Sequence, residues 1–409
     1  NTTIASLILS SLSTSPIFQT SFSSGKTNFR LESSRFHHFS THLFYSNSFF
    51  GHATFTKSTF ASFLSSPIHI DNYQLLRLDI SNKHLDLSKE SEVVVTEMTF
   101  VNCTTEGDGG AIYIVSDSYM FCNFSSFSGC NATNKGGAIF ALIPHLNFTQ
   151  GCFNNCDAMK GTAVFTGLAE INASFEGCYI DGAENEMADS TIFINSRDVI
   201  MKNSNISFVD IKSNPAFSIK TTHWLNISGM TFYNLTSKSY IASFEGVEPN
   251  TPFEMSNFMH CNAQDAIIYL SSYSQEYKNV VFYQCQCNKY FEIGEDVLKV
   301  TLSNVSFDNS EESDIADDLT KFVLANITYS ELGNKDLKKL STVITNGCWA
   351  HSHYIWQSPK RAVQIIVGIV IGVCLVGGFL IIIIHHVRKN RKEKKEDKAT
   401  VIYGIDKVD

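Results

Sequence analysis

The chain is poor in charge, with 17% Asp, Glu, Lys and Arg over 409 residues, and it holds only 7 prolines and 3 tryptophans. It contains no phosphate-binding glycine loop, dinucleotide fingerprint, CxxC, HExxH or nucleophile elbow. The short signatures of nucleotide, thiol-redox, zinc-protease and α/β-hydrolase chemistry are therefore missing. It also lacks a basic stripe. From Arg388 onward eight basic residues stand against five acidic ones, which leaves 23 basic and 35 acidic before that point, a net of -12. That sign excludes nucleic acid and heparin-like polyanions as partners, since both need continuous positive charge.

Long apolar runs are missing too, except at 362–384, AVQIIVGIVIGVCLVGGFLIIII, which has 23 residues and no charge. As a helix rising ~1.5 Å per residue it spans a hydrocarbon core of about 30 Å. Seven Lys or Arg follow between Arg388 and Lys398, which marks the cytoplasmic side. The expectation is a single-pass type I plasma-membrane protein. Residues 1–361 lie outside, the lipid bilayer is contacted through 362–384, and 385–409 form a short tail. Gly368 and Gly372 have the small-xxx-small spacing that allows self-association of the span; the oligomeric state stays open. Trp349, Tyr354 and Trp356 read as interfacial anchors. Ten glycosylation sequons fall on the outer side, at Asn102, Asn123, Asn131, Asn147, Asn172, Asn205, Asn226, Asn234, Asn304 and Asn326, and an eleventh opens the chain at Asn1.

What is plentiful is Ser, Thr, Asn and 32 Phe. Phe followed three residues later by Cys recurs as FVNC from Phe100, FSGC from Phe127, FNNC from Phe153, FEGC from Phe175, FMHC from Phe258 and FYQC from Phe282. Degenerate copies start at Phe208, Phe232, Phe307 and Tyr329. Intervals run from 22 to 33 residues, a period that means stacked supersecondary units. Alternating stretches such as VVVTEMTF and LKVTLSNVSF supply short strands without helical spacing. The fold class expected is all-β, a right-handed single-stranded parallel β-helix (a pectin lyase-like solenoid) over residues 90–332. Irregular coils or a cap precede it at 1–89, and a cap and juxtamembrane stretch follow at 333–361. The nine phenylalanines Phe100, Phe127, Phe153, Phe175, Phe208, Phe232, Phe258, Phe282 and Phe307 are expected to fill one interior column. Gly109 and Gly110 in GGAIYI, and Gly136 and Gly137 in GGAIF, are expected at tight corners with positive φ. The 33-residue interval after Phe175, containing DGAENEMADS at 181–190, is the expected inserted loop.

Ten cysteines precede the span, and Cys103, Cys130, Cys156, Cys178, Cys261 and Cys285 occupy one place in the repeat. Stacked cysteines lie within disulfide reach, so Cys103 to Cys130, Cys156 to Cys178 and Cys261 to Cys285 are possible bonds. A buried ladder of free thiols is the alternative. Parallel β-helices include polysaccharide lyases and hydrolases, which need converging carboxylates or an acidic calcium site. Glu106, Asp108, Asp157, Glu176, Asp181, Glu184, Glu186 and Asp189 sit at differing offsets from the Phe positions and give no such signal. EESDIADD at 311–318 lacks EF-hand spacing, and His351, His353 and Cys348 lack a fourth zinc ligand. No catalytic, metal or cofactor site is expected.

GGAIYI at 109–114, GGAIF at 136–140 and the near copy GTAV at 161–164, alternating with FxxC segments such as FVNC and FNNC, resemble the GGAI and FxxN repeats of the polymorphic membrane protein family of chlamydiae and its relatives on trichomonad surfaces. The motifs match well over residues 100–165 and loosely beyond. The resemblance implies a parallel β-helical passenger and host-cell adhesion. Bacterial members end in an outer-membrane β-barrel, whereas this chain ends in one apolar helix, as the trichomonad proteins do. The function expected is adhesion or other recognition of a host-cell or extracellular protein or glycan. A glycosylated coat without a ligand and a carbohydrate-active enzyme are the alternatives.

Overall fold

A computed structural model describes residues 2–11, 16–20, 28–47, 51–72, 91–167, 172–182, 188–211, 215–246 and 252–333. Over them the chain is an all-β parallel solenoid of about 11 turns, and every strand pairing is parallel, as in Phe100↔Phe127 and Phe127↔Phe153. Strands Thr2–Ala5 to Ile68–Asp71 pair into the same sheets. Among the described residues no helix is long and apolar enough to cross a membrane. The expected span at 362–384, the anchors and tail around it, and His351, His353 and Cys348 lie outside the described residues.

One coil shows how the sequence makes the turn. Ser91–Thr96 forms a first face, Thr99–Val101 a second and Ile112–Val115 a third. Glu97 and Asn102 turn the corners between these faces with φ of 52° and 49°. The first corner recurs at Ser33, Lys57, Phe124, Gln150, Gly177, Asn203, Gly229, Met255 and Asn279, and the second at Asn155, Phe208, Asn234, His260 and Gln284, all with positive φ. Asparagine is the side chain best tolerated in that left-handed conformation, which is why it follows the strand in FVNC, FNNC and FYNL. Before the third face, Gly109 and Gly136 also have positive φ, of 69° and 65°. Gly110 and Gly137 do not. Their role is close approach, because a Cβ on Gly110 would strike the Gly137 carbonyl and one on Gly137 the Thr162 carbonyl of the next coil.

The interior aromatic column is Phe36, Phe60, Phe100, Phe127, Phe153, Ile180, Ile206, Phe232, Phe258, Phe282 and Phe307 in register. Phe100 and Phe127 stack at 4.8 Å and 4°, Phe282 and Phe307 at 5.0 Å and 2°. Two of the nine expected members are elsewhere. Phe175 belongs to the first face, in register with Phe148 and Met201, and Phe208 is a second-corner residue, 47% exposed. Both corners use the same local order of inward strand residue, positive-φ residue and inward residue, so FEGC at the first corner reads like FSGC at the second. With Ile180 and Ile206 in place, the irregular intervals of 22 and 33 residues become 27 from Phe153 to Ile180, 26 to Ile206 and 26 to Phe232. The supposed insertion at 181–190 is therefore part of a coil of ordinary length. The longer interval, 40 residues from Phe60 to Phe100, includes 73–90, outside the described residues.

The same shift corrects the cysteine ladder. Cys103, Cys130, Cys156, Cys261 and Cys285 follow the second corner, whereas Cys178 follows the first, after Gly177. None of the three expected disulfides forms; all six of these cysteines are free thiols. Each second-corner thiol donates instead to a phenylalanine carbonyl one coil below: Cys103 to Phe60 at 3.6 Å, Cys130 to Phe100 at 3.8 Å, Cys156 to Phe127 at 3.7 Å, and Cys261 and Cys285 to Phe232 and Phe258 at 3.5 Å. Burial pushes the Cys130, Cys156 and Cys285 thiols well up. They behave as small apolar fillers with a weak donor. After the first corner, serines do related work. Ser58, Ser125, Ser204 and Ser256 each accept a backbone N–H from an adjacent coil, from Ser34, Met98, Cys178 and Met230 respectively. Each hydroxyl donates to the carbonyl two residues before it. These bonds satisfy polar groups inside a closed core.

Candidate functional site

Two aromatic arrays lie on the outside of the solenoid. On the third face Tyr45, His69, Tyr113, Phe140, Phe165 and Phe193 are in direct register. Their rings stack nearly parallel, at 5.4, 4.4, 5.3, 5.3 and 5.0 Å in order, with interplanar angles of 6° to 16°. Lys135 and Lys160 lie over Phe165 and Phe193, 5.0 and 4.1 Å from the ring centres. Val115 and Leu142 pack beside the rings, and Phe140 and Phe165 are only 5% and 6% exposed. Burial, with His42 beside it, lowers the His69 pKa to about 3, so that ring is a neutral member of the stack at pH 7. The ring faces of this array are consumed by one another.

The second array runs diagonally over the second face and its corner. Phe208, Tyr233, His260 and Tyr283 meet edge to face at 5.3, 5.5 and 5.6 Å, with interplanar angles of 82°, 89° and 78°. The corner supplies Phe208 and His260; the strands supply Tyr233 and Tyr283, with Met259 in register between them. An outward ring at a positive-φ corner projects from the stack, and that leaves Phe208 half exposed and His260 exposed. An edge-to-face contact occupies a face of only one ring of the pair, whereas a parallel stack occupies a face of both, and along these four successive coils Phe208 and His260 are exposed and Tyr233 and Tyr283 half-buried.

The open array ends at a cavity of about 700 Å³ whose lining includes His260, Gln284, Gln286, Asn309, Asp308 and Asp314, a volume within the range of about 300–1,000 Å³ usual for small-ligand sites. The Gln284 side-chain amide donates to the Tyr283 hydroxyl at 3.1 Å and so links stripe to cavity. Asp308 is fixed by backbone donors, Gln284 N–H at 3.2 Å and Leu332 N–H at 2.8 Å. The buried Tyr290 hydroxyl pairs with Ser310 at 2.6 Å. Cys285 and Cys287 also line the cavity. Burial, then Cys285 and Asp314, pushes the Cys287 thiol up to about 12. A nucleophilic cysteine needs the opposite shift.

The remaining expected positions are dispersed. Among the described residues no group of three His, Cys, Asp or Glu is placed to hold a metal. The 311–318 run forms a short 3-10 turn at Glu312–Asp314, and its Asp317 lies 3.4 Å from Lys289. His223 pairs with Asp198 at 2.6 Å beside the exposed Trp224. The hydroxyl of Ser196, two residues from Asp198, is buried. None of the ten sequon asparagines from Asn102 to Asn326 is buried. Asn102, Asn131, Asn234, Asn304 and Asn326 are exposed and the other five half-buried. The open stripe and its cavity were not anticipated from sequence. Aligning coils on Ile180 and Ile206 would have shown them, since Ser207, Tyr233, Met259 and Tyr283 then share one outward row.

Compared with known protein families, curated proteins and solved structures, the chain matches none.

Proposed function

We propose that this chain is a recognition protein of the cell surface, a right-handed β-helical adhesin held by the apolar segment 362–384 with its solenoid outside the cell. The observation that carries the reading is the open Phe208–Tyr233–His260–Tyr283 stripe leading into a polar cavity on a stiff scaffold. Exposed contiguous aromatics are costly in water and mark interaction sites. A solenoid coil can present such residues at its corners without disturbing the stack that supports them. The uncharged run followed by basic residues supports membrane anchoring, and the outward sequons fit a glycosylated exterior. The likeness of GGAI and FxxC to the repeats of polymorphic membrane proteins points to adhesion as well.

The test is to display the full chain on a glycosylating cell and measure adherence to target cells, with a Phe208→Ser, Tyr233→Ser, Tyr283→Ser triple variant beside it. Saturable adherence lost in the triple variant, at equal display, is the expected result. Equal adherence of both overturns recognition through the stripe, and none by either favours a coat protein without a ligand.

A further inference from the structure

The stripe and cavity together define a ligand chemistry, and this inference rests on the recognition reading above. We infer that the site binds an uncharged oligosaccharide, with sugar rings laid against Tyr233 and Tyr283 and hydroxyls entering the cavity.

Three observations converge. First, the rings along the stripe are perpendicular to their neighbours, at 78° to 89°, so each contact takes a face from only one ring of the pair, and the half-buried Tyr233 and Tyr283 keep apolar surface for the C–H faces of a pyranose. In the stacked array, with angles of 6° to 16°, each inner ring has a neighbour on both faces. Tyrosine suits a wet contact of this kind because its body is apolar and its tip polar. Second, Gln284, Gln286 and Asn309 in the cavity carry amides that both donate and accept, matching the dual character of sugar hydroxyls. Asp308 is held by two backbone N–H groups, so a carboxylate acceptor is already oriented before a ligand arrives. Third, the charge is one-sided. Asp308 and Asp314 line the cavity, Glu311 and Glu312 precede Asp314 in the chain, and among the described residues no Lys or Arg lines the cavity. Uronic, sialylated or sulfated chains would bring like charge to these carboxylates, which disfavours them. Successive coils stand about 4.8 Å apart, close to the length of one hexose, so consecutive sugar units can follow consecutive coils from Tyr233 to Tyr283.

The test uses the full chain in detergent micelles, titrated with fluorescent cellotetraose and chitotetraose as neutral probes and tetragalacturonate as the anionic one. The expected result is saturable binding of a neutral probe at least tenfold tighter than tetragalacturonate. Tyr283→Ala is expected to weaken it about tenfold, the equivalent of 1.4 kcal/mol, and Trp224→Ala to leave it unchanged. Tighter binding of tetragalacturonate, or equal weakening by Trp224→Ala, overturns the inference. If no tetrasaccharide binds while displayed chains still adhere through the stripe, the glycan chemistry is wrong and recognition stands. If stripe-dependent adherence also fails, the recognition reading falls with it.

Discussion

The two outer aromatic arrays use similar residues in opposite ways. Tyr45 to Phe193 occupy one strand position repeated coil after coil, so their rings come into register and stack parallel. Phe208 to Tyr283 alternate between a corner and a strand, so consecutive rings meet at nearly right angles. Register decides whether neighbouring rings stack or meet at an edge. The first array extends the core onto the outer surface; the second leaves Phe208 and His260 exposed.

The largest effect that would break this comparison is Phe165→Ala. Removing a ring held between Phe140 and Phe193 should cost about 3–5 kcal/mol, as core phenylalanines do, read as a lower denaturation midpoint. A change under about 0.5 kcal/mol, typical of the surface, would mean that the stacked array adds little to the fold. Gly137→Ala comes next, since its Cβ meets the Thr162 and Asp157 carbonyls between coils. Overpacking of this sort costs about 1–3 kcal/mol, and a midpoint equal to that of the unaltered chain would refute the close-approach role.

Acidification gives an intermediate effect with a definite sign. The His69 pKa in the fold, about 3, lies below its ordinary 6.5, and burial also lowers that of His42. The unfolded chain therefore binds protons that the folded one refuses. This contribution is present above pH 6.5 and is lost as the pH falls from there toward 3. Thermal melts at pH 7 and pH 4.5 should show the drop, and His69→Phe should make it smaller; an unchanged drop would place its origin elsewhere. The smallest stability effect belongs to the open stripe, where Phe208→Ala should stay within about 0.5 kcal/mol. Thiol chemistry sharpens the picture of the interior. Iodoacetamide at pH 7 should leave Cys103, Cys130, Cys156, Cys178 and Cys261 unmodified in the native protein, because all five are buried. Rapid native labelling of Cys130 would contradict a sealed column.

Much of the solenoid was legible because its period is carried by large residues: Phe100, Phe127, Phe153, Phe232, Phe258, Phe282 and Phe307 share one column. The errors came where residue type and position separate. Phe175 and Cys178 imitate the motif one face early, and Phe208 stands beside the true column residue Ile206. Local sequence cannot distinguish two corners built on the same backbone grammar; only equal coil length does. The same likeness hides the candidate site, since its first residue, Phe208, reads as core from local sequence.

The most direct measurement sets the arrays side by side: denaturation midpoint and cell adherence for Phe165→Ala and Tyr283→Ala in the displayed full chain. Phe165→Ala is expected to lower the midpoint while the fraction still folded adheres normally, and Tyr283→Ala to keep the midpoint and lose adherence. Loss of adherence by the folded fraction of Phe165→Ala, together with full adherence of Tyr283→Ala, would contradict the division of labour between stacked and open rings.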